Sequence, residues 1–525
     1  MTLGRRITVT PATTVFFFVT LGFSVAPAFI HMFILFIDGS WGRVVSDIIV
    51  TAELPQASYS YYDPQNGQPA LQLCNNVPTF AGGPSDIDSC YVVFAKNGSI
   101  DAGGTASFPS VRWQRGFVGQ PLDATLTPTR NSTGSVDSVV VSPASGGGDI
   151  FLDGQCIRTL VYANARLQDS QREDIVLIVF QVWLLGLSVF AILYESVPHI
   201  WACLFSRTIE TGWSAYSLWR TTSYNGRFAD LYRSADTPCH FNLFDEYLGV
   251  RVGFDIAEVA MKWASLLVLA ILAIRLSSVY HHQTFRRLGP PSGVIMVYWI
   301  FMAVQVFLQL SVFFLVVALS LFLDQLLNGV IATLSDYTPL YLALCIGTII
   351  LLVPWFIAGW YAIRLEKKWW TVAFIVVAVV FIICWSIVFY SQVYRLTFLD
   401  WPFFACMTIM AFLVVILCGV FGVVCITNFG KGLKMFLYAD GVLARAGVVP
   451  DIFTIERKPS MLNFAVTEEH GTESTPATHS PTSTIHTTTD DTHADARSMH
   501  TTESDNTLVD CEEGKLGCHA KYESV

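Results

Sequence analysis

Apolar positions along this chain gather into long unbroken runs rather than into the alternations and stripes of soluble elements. Seven stretches stand out: Val15–Ile37, Ile175–Leu193, Phe254–Tyr280, Val294–Leu323, Tyr341–Ile363, Thr371–Tyr390 and Phe403–Ile426. A helix needs about 20 mostly apolar residues to cross a bilayer, and each stretch meets or approaches that length. A long polar segment, Asp38–Asp174, separates the first two, and a polar tail follows the last. The pattern predicts an all-α multi-pass transmembrane helix bundle of six or seven membrane helices. A small β-rich extracytosolic domain and a disordered C-terminal tail complete it. The domains would be 1–37, a signal-anchor or first membrane helix; 38–174, glycosylated and extracytosolic; 175–434, the bundle; and 435–525, the tail.

Composition agrees. Of 525 residues, 53% are hydrophobic and only 14% charged, against about 25% charged in a typical soluble domain. So few charges cannot cover that much apolar surface in water. The net charge of −10, without a basic block, also speaks against nucleic acid as a partner. The bilayer is the first partner to expect.

Arg5 and Arg6 precede the first run, and Ala26-Pro27-Ala28 has the small-x-small spacing of a signal-peptidase site. The run nevertheless continues to Ile37, beyond an ordinary signal core. It reads as an uncleaved anchor, with cleavage as the alternative. Either way Asp38–Asp174 leaves the cytosol. That segment carries two glycosylation sequons, at Asn97 and Asn131, and three cysteines, Cys74, Cys90 and Cys156. Cys74–Cys90 closes the shortest loop and is the expected disulfide, though Cys156 could take part. Strand-like runs at Tyr91–Ala95, Val136–Val141 and Gln155–Tyr162 alternate with Gly, Pro and Ser turns. A loosely folded glycosylated loop is the alternative to a β domain.

Seven crossings would place Arg275, Arg286, Arg287, Arg364, Lys367, Lys368, Lys431 and Lys434 outside the cytosol, against the positive-inside rule. The third stretch is the suspect. Its uncharged run, Trp263–Ile274, has 12 residues, about 18 Å of helix. Ahead of it Arg251, Asp255, Glu258 and Lys262 share one helix face, as at a cytosolic interface. If Phe254–Tyr280 lies in the surface, six crossings remain, both ends are cytosolic, and every basic cluster falls inside. If Lys262 and Arg275 snorkel, seven crossings stand.

Ionisable residues are scarce in the cores of these stretches, which argues against ion-coupled transport. Gln305 and Gln309 share a face of the fourth stretch and suit a helix–helix hydrogen bond, or the lining of a path for an uncharged solute. No metalloprotease, phosphate-loop or serine-hydrolase motif occurs, so no enzymatic activity, catalytic residue, metal or cofactor is expected. Gly430-Lys431-Gly432 reads as a helix end, His281-His282 as a solvated pair, and Cys418 and Cys425 as buried thiols or palmitoylation sites. From about Val466 the tail is rich in Thr, Ser, His and Asp and cannot bury enough surface to order itself. Its His486–Thr492 segment is echoed by His500–Asn506.

Three further stretches carry a resemblance: Leu310-Ser311 through Asp324-Gln325, Pro354-Trp355 through Gly359-Trp360 with Arg364, and Asn428-Phe429-Gly430-Lys431-Gly432-Leu433. They resemble a set of uncharacterised multi-pass membrane proteins of mushroom-forming fungi. The resemblance covers the second half of the chain and implies the architecture alone. Two function classes follow. One is a non-enzymatic receptor, sensor or membrane-organising partner of the plasma membrane or secretory pathway, meeting an extracellular protein or ligand through residues 38–174. The other is a transporter or channel for an uncharged solute.

Asn97 and Asn131 should both carry glycans, and endoglycosidase should increase the electrophoretic mobility of the full-length protein. Unchanged mobility would remove the main support for an extracytosolic Asp38–Asp174.

Overall fold

The computed structural model describes residues 11–438 apart from 55–58, 64–69, 75–89, 96–123, 133, 144–148, 234–236, 240–242, 289–291 and 330–337. Asn97, the Thr-rich tract and the paired His-Thr segments of the tail lie outside the described residues.

Helix α1 spans Pro11–Thr51, α2 Gly154–Leu193, α3 Val197–Phe228 and α4 Asp245–Leu288. They are followed by α5 (Ser292–Asn328), α6 (Thr338–Arg364), α7 (Lys368–Val388), the short α8 (Gln392–Asp400) and α9 (Pro402–Thr427). Between α1 and α2 run strands β1 (Tyr59–Asp63), β2 (Ala70–Cys74), β3 (Cys90–Ala95), β4 (Ala124–Arg130), β5 (Val136–Pro143) and β6 (Ile150–Asp153). They form two three-stranded antiparallel sheets, β1-β2-β3 and β4-β5-β6. Cys74 and Cys90, register partners on β2 and β3, are joined by a disulfide. Seven of the helices, all but α3 and α8, are long and apolar enough to cross a membrane. This is a multi-pass integral membrane protein.

The 38–174 boundaries need correction, because α1 continues past Asp38 to Thr51 and α2 begins at Gly154. Gln155–Tyr162, expected as a strand, is the first two turns of α2. Cys156, Leu160, Ala163 and Leu167 recur at helical spacing and are all buried. With 41, 40 and 44 residues, α1, α2 and α4 are each about 60 Å or more long, twice a hydrocarbon core of about 30 Å. Their charged ends project on the side of the sheets, called here the sheet end. The opposite side, where α9 finishes, is the tail end.

The segment after the second stretch, which contains no apolar run of crossing length, is α3. It runs antiparallel to α2, with contacts Ser188–Cys203, Gln181–Arg207, Glu173–Arg220 and Thr159–Tyr232 along its length. A disulfide from Cys156, in the first turn of α2, to Cys239, beyond α3, closes the sheet end of this pair. Helix α3 therefore travels from the tail end back to the sheets. Its outward positions from Trp201 through Phe205, Thr208, Gly212 and Ala215 to Trp219 are all uncharged. Trp201 and Trp219 are exposed, 18 positions or about 27 Å apart, as interfacial aromatics at two membrane surfaces would be. Trp370 and Tyr390, exposed at the two ends of α7, stand about 30 Å apart. Three of the four charges of α3, Arg207, Glu210 and Arg220, are buried within the bundle, and the fourth, Arg227, is half-buried in its last turn near the sheets.

Helix α3 has the length and the outward face of an eighth crossing, although seven helices alone qualify by apolar composition among the described residues, and the third apolar stretch is part of a full-length helix rather than an interfacial one. The even count places α1's start and α9's finish at the same end. Arg275, Arg364, Lys367, Lys368, Lys431 and Lys434, with Arg286 and Arg287 in the last turns of α4, then gather at the tail end. The positive-inside rule puts that end in the cytosol. A crossing at α3 would resolve the conflict in the charge count without removing the third stretch.

A cysteine introduced as Asn225→Cys, exposed near the sheet end of α3, should react with an impermeant thiol reagent in intact cells. An epitope after Val525 should be detected only after permeabilisation. An unreactive Asn225→Cys together with an epitope detected in intact cells would sink the eight-crossing topology.

Candidate functional site

The first four helices enclose two apolar cores. One, at the sheet end, includes Trp41, Val45, Leu160, Tyr162 and Phe244; the other, at the tail end, includes Phe16, Ile192, Ile200, Leu269 and Tyr280. Between them lies a layer of buried charge: His31, Asp38, Asp174, Arg207, Glu210, Arg251, Asp255, Glu258 and Lys262. Lys262 and Arg207 are each 1% exposed.

Local sequence sets up each contact. Pro27 lies inside the continuous helix α1 and has no N–H, which frees the carbonyl of Phe23 four residues earlier. Arg207 Nη1 donates to that carbonyl at 3.1 Å, to Gln181 Oε1 at 2.8 Å and to Glu210 Oε2 at 3.3 Å. Its Nη2 donates to Ser24 Oγ at 2.5 Å. Lys262 donates to Glu258, one turn earlier on α4, and pairs with Glu210 of α3 at 3.2 Å. His31 Nδ1 stands 3.0 Å from Asp174 Oδ1, and its Nε2 3.2 Å from Glu258 Oε1. Toward the sheets, Arg251 pairs with Asp38, whose second oxygen accepts from Tyr247 at 2.9 Å. Gly42 leaves room for Gln171, whose amide donates to the Asp38 carbonyl at 3.0 Å; a Cβ at Gly42 would meet that amide nitrogen at 2.6 Å.

The layer also reaches the other helices. Arg220 grips Glu173 through both guanidinium nitrogens, at 2.7 and 2.5 Å, and Glu173 accepts from Trp401 Nε1 at 2.8 Å. Arg166 pairs with Asp400 at 2.6 Å, Arg172 with Asp324, and Gln325 donates to Asp169 at 2.9 Å. At the sheet end, Tyr232 donates to the Thr159 carbonyl at 2.9 Å, and burial pushes its phenol well above the ordinary tyrosine range.

The charges of Arg251, Asp255, Glu258 and Lys262, expected at a cytosolic interface, face this interior instead. Their spacing of four, three and four was legible, but not what they face. His31 and Arg207 carried no periodic signal, being single polar residues amid apolar or mixed neighbours. The expectation of few intramembrane charges holds for α5, α6, α7 and α9 and fails for α1 to α4.

Gln305 is 2% exposed, and neither its Nε2 nor its Oε1 has a hydrogen-bond partner, so it does not make the expected interhelical bond. Gln309 lines a cavity of about 400 Å³ with Trp183, Phe190, Phe356, Trp360 and Tyr361. Asn131 is exposed in the turn between β4 and β5. Cys418 and Cys425 are buried in α9, away from any acylating enzyme. The side chains of His281 and His282 lie outside the described residues. Gly430 and Gly432 take φ of 91° and 96° where the chain leaves α9, the left-handed geometry that ends helices. Among the described residues no group of His, Cys, Asp and Glu could hold a metal ion. No protein-family model, curated protein or solved structure matches this chain.

What the arrangement can do follows from its electrostatics. Removing one member of a buried pair leaves the other uncompensated, typically at about 3–5 kcal/mol. Lys262→Met should lower stability in nanodiscs by about that amount. Adding Glu258→Gln should restore part of the loss, as a thermal melt of the double variant would record. Additive losses would mean that the pair does not interact.

Proposed function

We propose that the protein is a non-enzymatic receptor or sensor of the cell surface or secretory pathway. In this reading an extracellular protein or ligand binds the sheet end, and the result passes down the helices. The supporting observation is continuity. Helices α1, α2 and α4 run without a break from the tail end to the sheets, so displacement at one end moves the other as a rod. The hairpin β4–β5 is tied to the end of α1 through the Arg130–Glu53 pair. Cys74–Cys90 and Cys156–Cys239 stiffen the same region, and such bonds persist in oxidising compartments.

Transport of an uncharged solute is the second reading. It is favoured by the aromatic cavity beside Gln309 and by the unpartnered amide of Gln305. Full-length protein in nanodiscs, bound by an antibody fragment that clamps the β4–β5 hairpin, distinguishes the two. Hydrogen exchange at Tyr194–Ile200, at the far end of α2 and α3, should change on binding. Unchanged exchange there would overturn the receptor reading. Solute uptake into proteoliposomes that is abolished by Gln309→Leu would establish the second.

A further inference from the structure

We propose that His31, clamped between Asp174 and Glu258, is a proton-binding site whose occupancy holds α1 against α2 and α4. An imidazole is a donor at both nitrogens only when it is the cation. Here each nitrogen faces a carboxylate oxygen, Nδ1 at 3.0 Å and Nε2 at 3.2 Å. The ring is 2% exposed, so water cannot stand in for either proton. With one proton gone, a nitrogen lone pair would point at a carboxylate in a medium that screens poorly.

The surrounding charge asks for the same cation. Helix α2 contributes Asp174 and α4 contributes Glu258 and Lys262. Behind Lys262 stand Glu210 and Arg207 of α3, and toward the sheets Asp38 of α1 with Arg251 and Asp255 of α4. Five buried carboxylates thus meet three permanent cations, Arg207, Arg251 and Lys262. A charged His31 narrows that imbalance. Independently, Asp174 Oδ2 is buried without a hydrogen-bond partner, an open acceptor on the carboxylate that already holds Nδ1. Lys262 Nζ also approaches Nε2, at 3.4 Å, but has closer acceptors in Glu258 and Glu210.

The direction of the pH effect follows. While the ring is protonated it bridges two helices, and as pH rises and the proton leaves, the bridge becomes a repulsion and α1 loosens. The site rests on this geometry and not on the receptor reading, so failure of the antibody experiment would leave it untouched.

The test is nitrogen NMR of ¹⁵N-histidine-labelled full-length protein in bilayers, at about one pH unit above the ordinary histidine value of about 6.5. One imidazolium with both nitrogens protonated should persist there and vanish in His31→Gln. In parallel, exchange protection of α1 around His31 should fall with rising pH in the wild type. His31→Arg, a permanent cation, should abolish that dependence. Overturning results are a neutral His31 protonated only on Nδ1 with Lys262 bonded to Nε2, or a pH dependence that survives in His31→Arg. Should His31→Gln fail to fold, the wild-type spectrum and the arginine variant still decide.

Discussion

Charge cannot be left unpaired in a medium of low dielectric, and this constraint organises the first four helices. A lysine, two arginines, a histidine and five carboxylates lie between two apolar cores. Each pairing joins different helices or successive turns of one: Lys262 binds α4 to α3, His31 binds α1 to α2 and α4, and Arg207 binds α3 to the α1 carbonyl that Pro27 leaves free. Sliding any helix by one turn, about 5.4 Å, would break several of these at once. Apolar packing alone tolerates such slips far better, since one leucine replaces another. The ionic layer is a register device more than a source of stability, because pairing only offsets the desolvation it requires.

The same constraint explains why α3 escapes a hydropathy reading. A span is recognised by a scarcity of charge along the chain, whereas lipid senses only the outward face. Helix α3 keeps Trp201, Phe205 and Trp219 outside and turns Arg207, Glu210 and Arg220 inward. Its average is polar although its surface is not. The remaining helices α5, α6, α7 and α9 need no such device: they pack through aromatic contacts such as Trp355 on Phe374 at 4.9 Å, and Gly359 admits the Phe374 ring where a Cβ would approach it at 2.6 Å. One half of the protein is held by charge and the other by shape.

The two halves meet at α2 and α3, where Trp213 of α3 packs on Phe403 of α9 at 4.9 Å. Residues from Arg166 to Asp174 serve both, with Asp174 facing His31 and Glu173 taking Arg220 and Trp401. Arg166 and Arg172 reach Asp400 and Asp324 at the sheet end of the second half. Any motion of the sheets that bends α2 is therefore felt on both sides.

Seven apolar stretches, a β-rich segment between the first two, and the gathering of Lys and Arg on one side were all legible in the sequence, because length, turn chemistry and insertion energetics are local properties. The number of crossings was not: the charge count favoured six but left seven open, and the course of α3 depended on the direction in which Arg207, Glu210 and Arg220 point. The pairing of Cys156 with Cys239 was equally hidden, because Cys239 lies 83 positions further on and reaches the sheet end only through the course of α3. So was the site at His31, a lone histidine in an apolar run whose meaning lies in Asp174 and Glu258, residues 143 and 227 positions away. Sequence determines what a segment prefers to touch, whether lipid, water or the oxidising side. Only the tertiary structure decides which charges meet, because in the membrane interior a charge is tolerated only beside its partner, and that partner comes from another part of the chain.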